Sequence, residues 1–147
     1  MSVLWAMIAT LGFSMLFQLR GLPLVGATVN GALGWAVYLM VLALDGSGFA
    51  ANLGAAFLVT MVAELLTRLR FGTVMAFLIP GLIPLVPGSQ IYRAMEMAVR
   101  GLPEKGLALG LEAMAIAAAI VAGVVTASSL ARISFARPPA QPRSARR

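Results

Sequence analysis

The sequence predicts an all-α integral membrane protein with about five transmembrane helices, the fourth broken by a Pro/Gly motif. Three observations carry that expectation. Hydrophobic residues make up 61% of the 147 residues and charged residues only 11%, against about 25% charged in a soluble domain. So few charges cannot cover a water-facing surface. The apolar residues gather in charge-free runs, and about 20 apolar helical residues cross a hydrocarbon core about 30 Å thick. One run is interrupted by Pro80-Gly81-Leu82-Ile83-Pro84-Leu85-Val86-Pro87-Gly88, three prolines and two glycines in nine residues. Each proline removes a backbone donor and its ring crowds the preceding turn.

The elements follow in order. The first apolar segment is Ser2 to Gln18, ended by Arg20, Gly21 and Pro23. No basic stretch precedes it, as it would in a cleaved signal peptide, so it is expected to stay as a span. The second runs from Leu24 to Leu44 and stops at the turn cluster Asp45-Gly46-Ser47-Gly48. The third runs from Phe49 to about Leu66 and closes at Arg68 and Arg70. The fourth, Phe71 to Tyr92, contains the Pro/Gly stretch, read as two breaks at Ile79-Pro80-Gly81 and Val86-Pro87-Gly88. The fifth is roughly Leu107 to Leu130. Residues 1–131 form the membrane domain on this reading, and residues 132–147 a basic, disordered, cytoplasmic tail.

Charge orients these spans. The net charge of +6 resembles a nucleic-acid signal, but five arginines lie in the last sixteen positions, beside a span. Such a tail attracts anionic headgroups of the lipid bilayer and marks the cytoplasmic side, and no nucleic acid is expected. With five crossings, one side carries eight Lys and Arg and the other three; a re-entrant fourth segment would make the split six to five. The bias favours five crossings, with the N-terminus outside and the C-terminus cytoplasmic.

Small residues recur at four-residue spacing, Ala51, Ala55 and Ala63 in the third segment and Ala115, Ala119, Gly123 and Ala127 in the fifth. Such stripes let helices approach closely in lipid, within one chain or in a homo-oligomer.

The chemistry is sparse. There is no Cys and no His, which removes disulfides, thiol and imidazole catalysis and Cys/His metal or haem ligation. No catalytic residue, metal or cofactor is expected, nor an enzyme; a lipid-modifying active site would need paired polar groups near the break. No phosphate-binding Gly-x-x-x-x-Gly-Lys-Ser/Thr loop is present. The Pro/Gly stretch is the main candidate site. Irregular backbone at membrane depth is tolerated where it is packed in protein or lines a wet cavity. After it, Ser89 reads as an N-cap, so a helix N-terminus with free amides would face the break and attract a carboxylate. The candidate path residues are Pro80, Gly81, Pro84, Pro87, Gly88, Ser89, Gln90, Tyr92 and Arg93. Tyr92 can equally sit in an aromatic belt, and Arg93 can snorkel to the interface. Glu64 is spaced to pair with Arg68 or to carry a proton, and Glu112 is a second candidate for proton coupling. Asn30 reads as interhelical glue, and Trp5, Trp35 and Tyr38 as lipid or packing aromatics.

Ile79 to Gly88, followed by Tyr92-Arg93-Ala94-Met95, resembles the hallmark of the threonine/serine exporter family, in particular the small membrane subunit of its split, two-protein form. Gly31-Ala32-Leu33-Gly34-Trp35, Glu64-Leu65-Leu66 running into Arg68 and Arg70, and the alanine-rich last span also fit. The resemblance covers most of positions 12 to 130. Arg70-Phe71-Gly72-Thr73 departs from it in lacking a proline. The resemblance implies an inner-membrane secondary exporter of small carboxylate solutes, threonine and serine or dicarboxylates such as succinate, with a larger membrane subunit as partner. The alternative is a non-transporting scaffold or assembly subunit.

Overall fold

The computed structural model describes residues 2–70 and 72–134, and every regular element among them is helical. The six α-helices are α1 (Ser2–Leu16), α2 (Leu22–Asp45), α3 (Gly48–Arg68), α4 (Val74–Leu82), α5 (Gly88–Val99) and α6 (Pro103–Ser134). A single 3₁₀ turn, Ile83–Leu85, joins α4 towards α5.

Three helices, α2, α3 and α6, are long and apolar enough to cross a membrane, and α4 with α5 makes a fourth crossing if that bent pair is one span. The first segment is shorter than expected. Its helix ends at Leu16, because Gln18 (φ 59°) and Gly21 (φ 66°) both turn left-handed and reverse the chain before Pro23. Fifteen residues make a rod about 22 Å long, short of the hydrocarbon thickness. At the other end, α6 begins four residues earlier than expected, with Pro103 in the first turn and Glu104 behind it, both favourable at a helix start. It also continues through Arg132 to Ser134, so the expected tail begins inside a helix; the rest of that tail lies outside the described residues.

The core inverts the soluble pattern. Ala27, Ala51, Ala55, Ala56, Val59, Ala63, Ala119 and Ala127 are fully buried, as are Thr10, Asn30 and Thr60. Large apolar side chains such as Trp5, Leu16, Met75, Leu107, Met114 and Ile133 are exposed. In lipid, helices associate through small residues and polar contacts, while bulky side chains face the acyl chains. The buried hydroxyls turn back on their own helices: Thr10 Oγ1 donates to Ala6 O at 2.8 Å and Thr60 Oγ1 to Ala56 O at 2.7 Å.

Helices α3 and α6 form the most extensive pair. The α3 stripe is as expected, with Ala51, Ala55, Val59 and Ala63 all buried. On α6 the buried line is Ala113, Ile116, Ala119, Gly123, Ala127 and Ala131, whereas Ala115 is exposed. The seam takes two steps of three from Ala113 through Ile116 to Ala119 and then steps of four to Ala131, so Ala119, Gly123 and Ala127 lie on it as expected and Ala115 falls beside it. At Gly123 a Cβ would meet Leu53 O at 2.6 Å and Phe57 N at 3.0 Å, so these stripes are used within the chain. At the C-terminal end of that seam Arg68 Nη2 donates to Ala131 O at 3.2 Å, satisfying a carbonyl in the last turn of α6.

Candidate functional site

Asn30 ties three helices together just before the break. The sequence led us to expect interruptions at both Pro80 and Pro87, yet α4 runs through Pro80 and ends at Leu82. Pro80 cannot donate to the carbonyl of Ala76, and its ring opens that turn. Asn30 Nδ2, fully buried on α2, donates to Phe77 O at 3.3 Å, in the turn before Pro80, and to Val59 O at 3.1 Å. One amide thus ties α2 to α3 and α4. Gly81 makes the approach possible, since a Cβ there would lie 2.8 Å from Val59 Cγ1 and 3.1 Å from Asn30 Nδ2. Gly34 does the same one turn along α2, where a Cβ would meet Val59 Cγ2 at 2.4 Å. Pro80 and Gly81 are therefore buried packing residues.

The backbone leaves the helical path lower down. Pro84 and Pro87 withhold two donors three residues apart, the chain tightens into the 3₁₀ turn, and Val86 is extended (φ −62°, ψ 130°). α5 then starts at Gly88, and the two halves are bent by 43°. Pro87, not Ser89, occupies the N-cap position of α5 and has no side chain to offer as a cap. Ser89 Oγ instead donates to Gln90 Oε1 at 2.8 Å. The Gly88 amide is taken by Val86 O at 2.8 Å, and the first bond along α5 runs from Ile91 N to Pro87 O. By position, the amides of Ser89 and Gln90 have no partner within the helix.

Against this break lies a cavity of about 150 Å³, lined by Trp35 and Tyr38 of α2, Asn52 of α3, the stretch Pro84 to Pro87, Ser89 and Gln90 of α5, and Ile116 of α6. It is a polar, uncharged chamber. Trp35 and Tyr38 stack with centroids 4.8 Å apart and an interplanar angle of 24°. Asn52 is buried and commits one amide hydrogen to Gly48 O at 2.7 Å. The Trp35 Nε1–H is buried with no partner among the described residues.

Residues 2–130 match the family described as Threonine/Serine exporter, ThrE. The chain belongs to that family. No curated protein and no solved structure matches it.

Membership in the threonine/serine exporter family makes the chain a membrane transporter component, and the apolar helices agree. The sequence-derived path residues divide into three groups in the fold. Pro84, Pro87, Ser89 and Gln90 line the cavity. Pro80 and Gly81 pack behind it. Gly88 is exposed, and Tyr92 and Arg93 lie on the exposed face of α5, outside the cavity lining. Glu64 and Glu112 are also remote from that lining. Glu64 is half-buried in an outer apolar groove with Leu58, Met61, Val62 and Leu65, and Glu112 is exposed on α6. An ion pair does form on α5, Arg100 Nη2 to Glu96 Oε1 at 2.6 Å. Sequence reasoning passed over Asn52 and treated Trp35 and Tyr38 as packing. The available signal was a lone carboxamide in an otherwise apolar span, the same signal that singled out Asn30.

Proposed function

We propose that the chain is one subunit of a secondary exporter of small carboxylate-bearing solutes, threonine and serine before dicarboxylates. It works in the inner membrane with a larger membrane subunit. The observation that carries this reading is the uncharged polar cavity at the start of α5. Family membership supports export of this solute class. A cavity of about 150 Å³ is the size that admits a benzene-sized guest, hence a four-carbon amino acid. Its rim supplies the unpartnered first-turn amides of Ser89 and Gln90 and the positive end of the α5 dipole, suited to a single carboxylate. Every described side chain lining it is uncharged. A second carboxylate would lose its hydration with no cation to replace it, a cost of several kcal/mol (about) for a buried unpaired ion. A zwitterion with a hydroxyl carries its own counter-charge and finds Tyr38, Asn52 and Gln90 as hydrogen-bonding partners.

The test is efflux of labelled threonine, serine and succinate from cells in which variants replace the native copy, so that any partner is present. Gln90→Ala is expected to lower threonine efflux about tenfold, the loss of one side-chain hydrogen bond to the solute, and Pro84→Ala to lower it by restoring a backbone donor and straightening the break. Tyr92→Phe on the exposed face should leave it unchanged. Full efflux from well-expressed Pro84→Ala and Gln90→Ala proteins would favour the scaffold reading.

A further inference from the structure

Helices α3 and α6 run side by side in the same direction but start at different heights. Arg68 Nη2 reaches Ala131 O, Gly123 sits against Leu53 and Phe57, and Ile116 shares the cavity wall with Asn52. This register sets Gly48, where α3 begins, close to level with Met114 of α6. α3 itself is about 31 Å long, the thickness of a hydrocarbon core. Residues 103–113 of α6 therefore overhang the bundle by about 16 Å. α5 packs on this overhang. The hairpin they make carries Arg93, Glu96, Arg100, Glu104, Lys105 and Glu112, charges that put it in water rather than in lipid.

One side of the hairpin is apolar. Gly106 stands between Ala94 and Ala98, so a step up α5 matches a step down α6. Met95 is thus level with Leu107, and Ile91 with Leu111. From the line of contact all four turn the same way round their helices, which in an antiparallel pair places them on one side. All four are exposed. By their spacing, Arg93, Glu96 and Arg100 share a different side of α5, and Lys105 and Glu112 a different side of α6. An apolar face needs no cover in lipid, but one that stands in water marks an interaction site.

Three observations point to its occupant. α6 is one unbroken helix from Pro103 to Ser134, so the hairpin stands upright and does not lie on the lipid surface. Its three acidic and three basic residues leave it net neutral, with no pull towards anionic headgroups or towards a charged partner. The third is the matching of heights. Two copies inserted in the same sense are related by a two-fold axis along the membrane normal, and a two-fold contact is made by the same patch on both. Residues of equal height then meet, so Met95 packs on Leu107 of the second copy and Ile91 on Leu111.

We infer that the protein is a homodimer held together by this hairpin. The second copy lays its own apolar side on the first, and the four helices close as an antiparallel bundle beyond the hydrocarbon. The layers Ile91–Leu111 and Met95–Leu107 form its interior, and the charged sides face water.

The chain has no native cysteine, so differently tagged Met95→Cys and Leu107→Cys copies can be co-expressed and oxidised in their membranes. A reducible two-chain species carrying both tags is expected, forming well before any from Arg93→Cys with Lys105→Cys on the charged sides. Leu107→Glu places an unpaired charge in the contact. It should raise the concentration at which half the purified protein is dimeric about a hundredfold, measured by light scattering on dilution in detergent. Met95→Leu, which keeps the face apolar, should leave that concentration unchanged. A monomer at every concentration together with no two-tag species overturns the inference. Equal cross-linking from the charged sides does so too, because it marks random collision. So does cross-linking of Met95→Cys to a different chain in place of its own copy, which gives the face to another subunit.

Discussion

Asn30 shows how much one side chain can decide in a helical membrane protein. Its amide nitrogen bonds the Val59 and Phe77 carbonyls on two other helices. It ties α2 both to α3 and to the turn of α4 that precedes Pro80. Interhelical hydrogen bonds in membranes average about 0.6 kcal/mol each, so Asn30→Ala should cost about 1 kcal/mol, with a small further loss from the cavity left. The check is thermal unfolding in detergent: a lowered midpoint for Asn30→Ala, and an unchanged one for Val29→Ala on the exposed neighbouring position. Equal midpoints for the two variants would remove Asn30 from its role. The residues that were legible in the sequence were those with local consequences. Pro84 and Pro87 break a helix wherever they are put, and Asn30 in an apolar run must find partners. Trp35 was not legible, because an indole in a span serves lipid, packing or solute equally well until its neighbours are known.

The elements repeat this division. Helix positions followed from apolar runs and turn residues, but α1 is shorter and α6 longer than those runs suggested. Left-handed turns at Gln18 and Gly21 cut the first helix short, and Pro103 and Glu104 start the last one early. The α3–α6 seam tests the same point. Gly123→Leu would drive a branched side chain into Leu53 O and Phe57 N, and overpacking of this kind costs about 1–3 kcal/mol or more. Ala115→Leu, on the exposed face, should be tolerated. Measured expression and unfolding midpoints should therefore separate these two variants, whereas the simple four-residue stripe would make them equally harmful. A damaging Ala115→Leu would point to a second subunit on that face.

At the scale of the whole molecule, the charges of one helical hairpin bear on the sidedness of the chain. α6 spans 32 residues, a rod about 48 Å long, well beyond the hydrocarbon thickness. α5 packs on its N-terminal part, where a Cβ on Gly106 would lie 2.8 Å from Ala94 O. This hairpin carries Arg93, the Glu96–Arg100 pair, Glu104 and Lys105, charges that belong in the interface or in water. If the bent α4–α5 pair crosses, the hairpin tip lies on the side opposite Leu69. The chain has no native cysteine, so single cysteines can be placed without background. With five crossings, Ser47→Cys and Leu102→Cys should react with a membrane-impermeant maleimide added outside intact cells, and Gln18→Cys and Leu69→Cys only after permeabilisation. Labelling of Leu102→Cys on the same side as Leu69→Cys would make the pair re-entrant.

The sequence by itself determined the class, the approximate helices, the existence of the break and the family, because each rests on local rules. A charge-free run seeks lipid, a proline lacks a donor, and a distinctive Pro/Gly block is read without knowing what it touches. Only the tertiary structure decided which of the break residues face a chamber and which pack behind it, and that Trp35, Tyr38 and Asn52 complete its wall. Those facts depend on how α2, α3 and α6 are brought against residues 84–90. In this chain that approach is set by glycines and alanines, whose small size permits contact on any face and so does not announce which face is used.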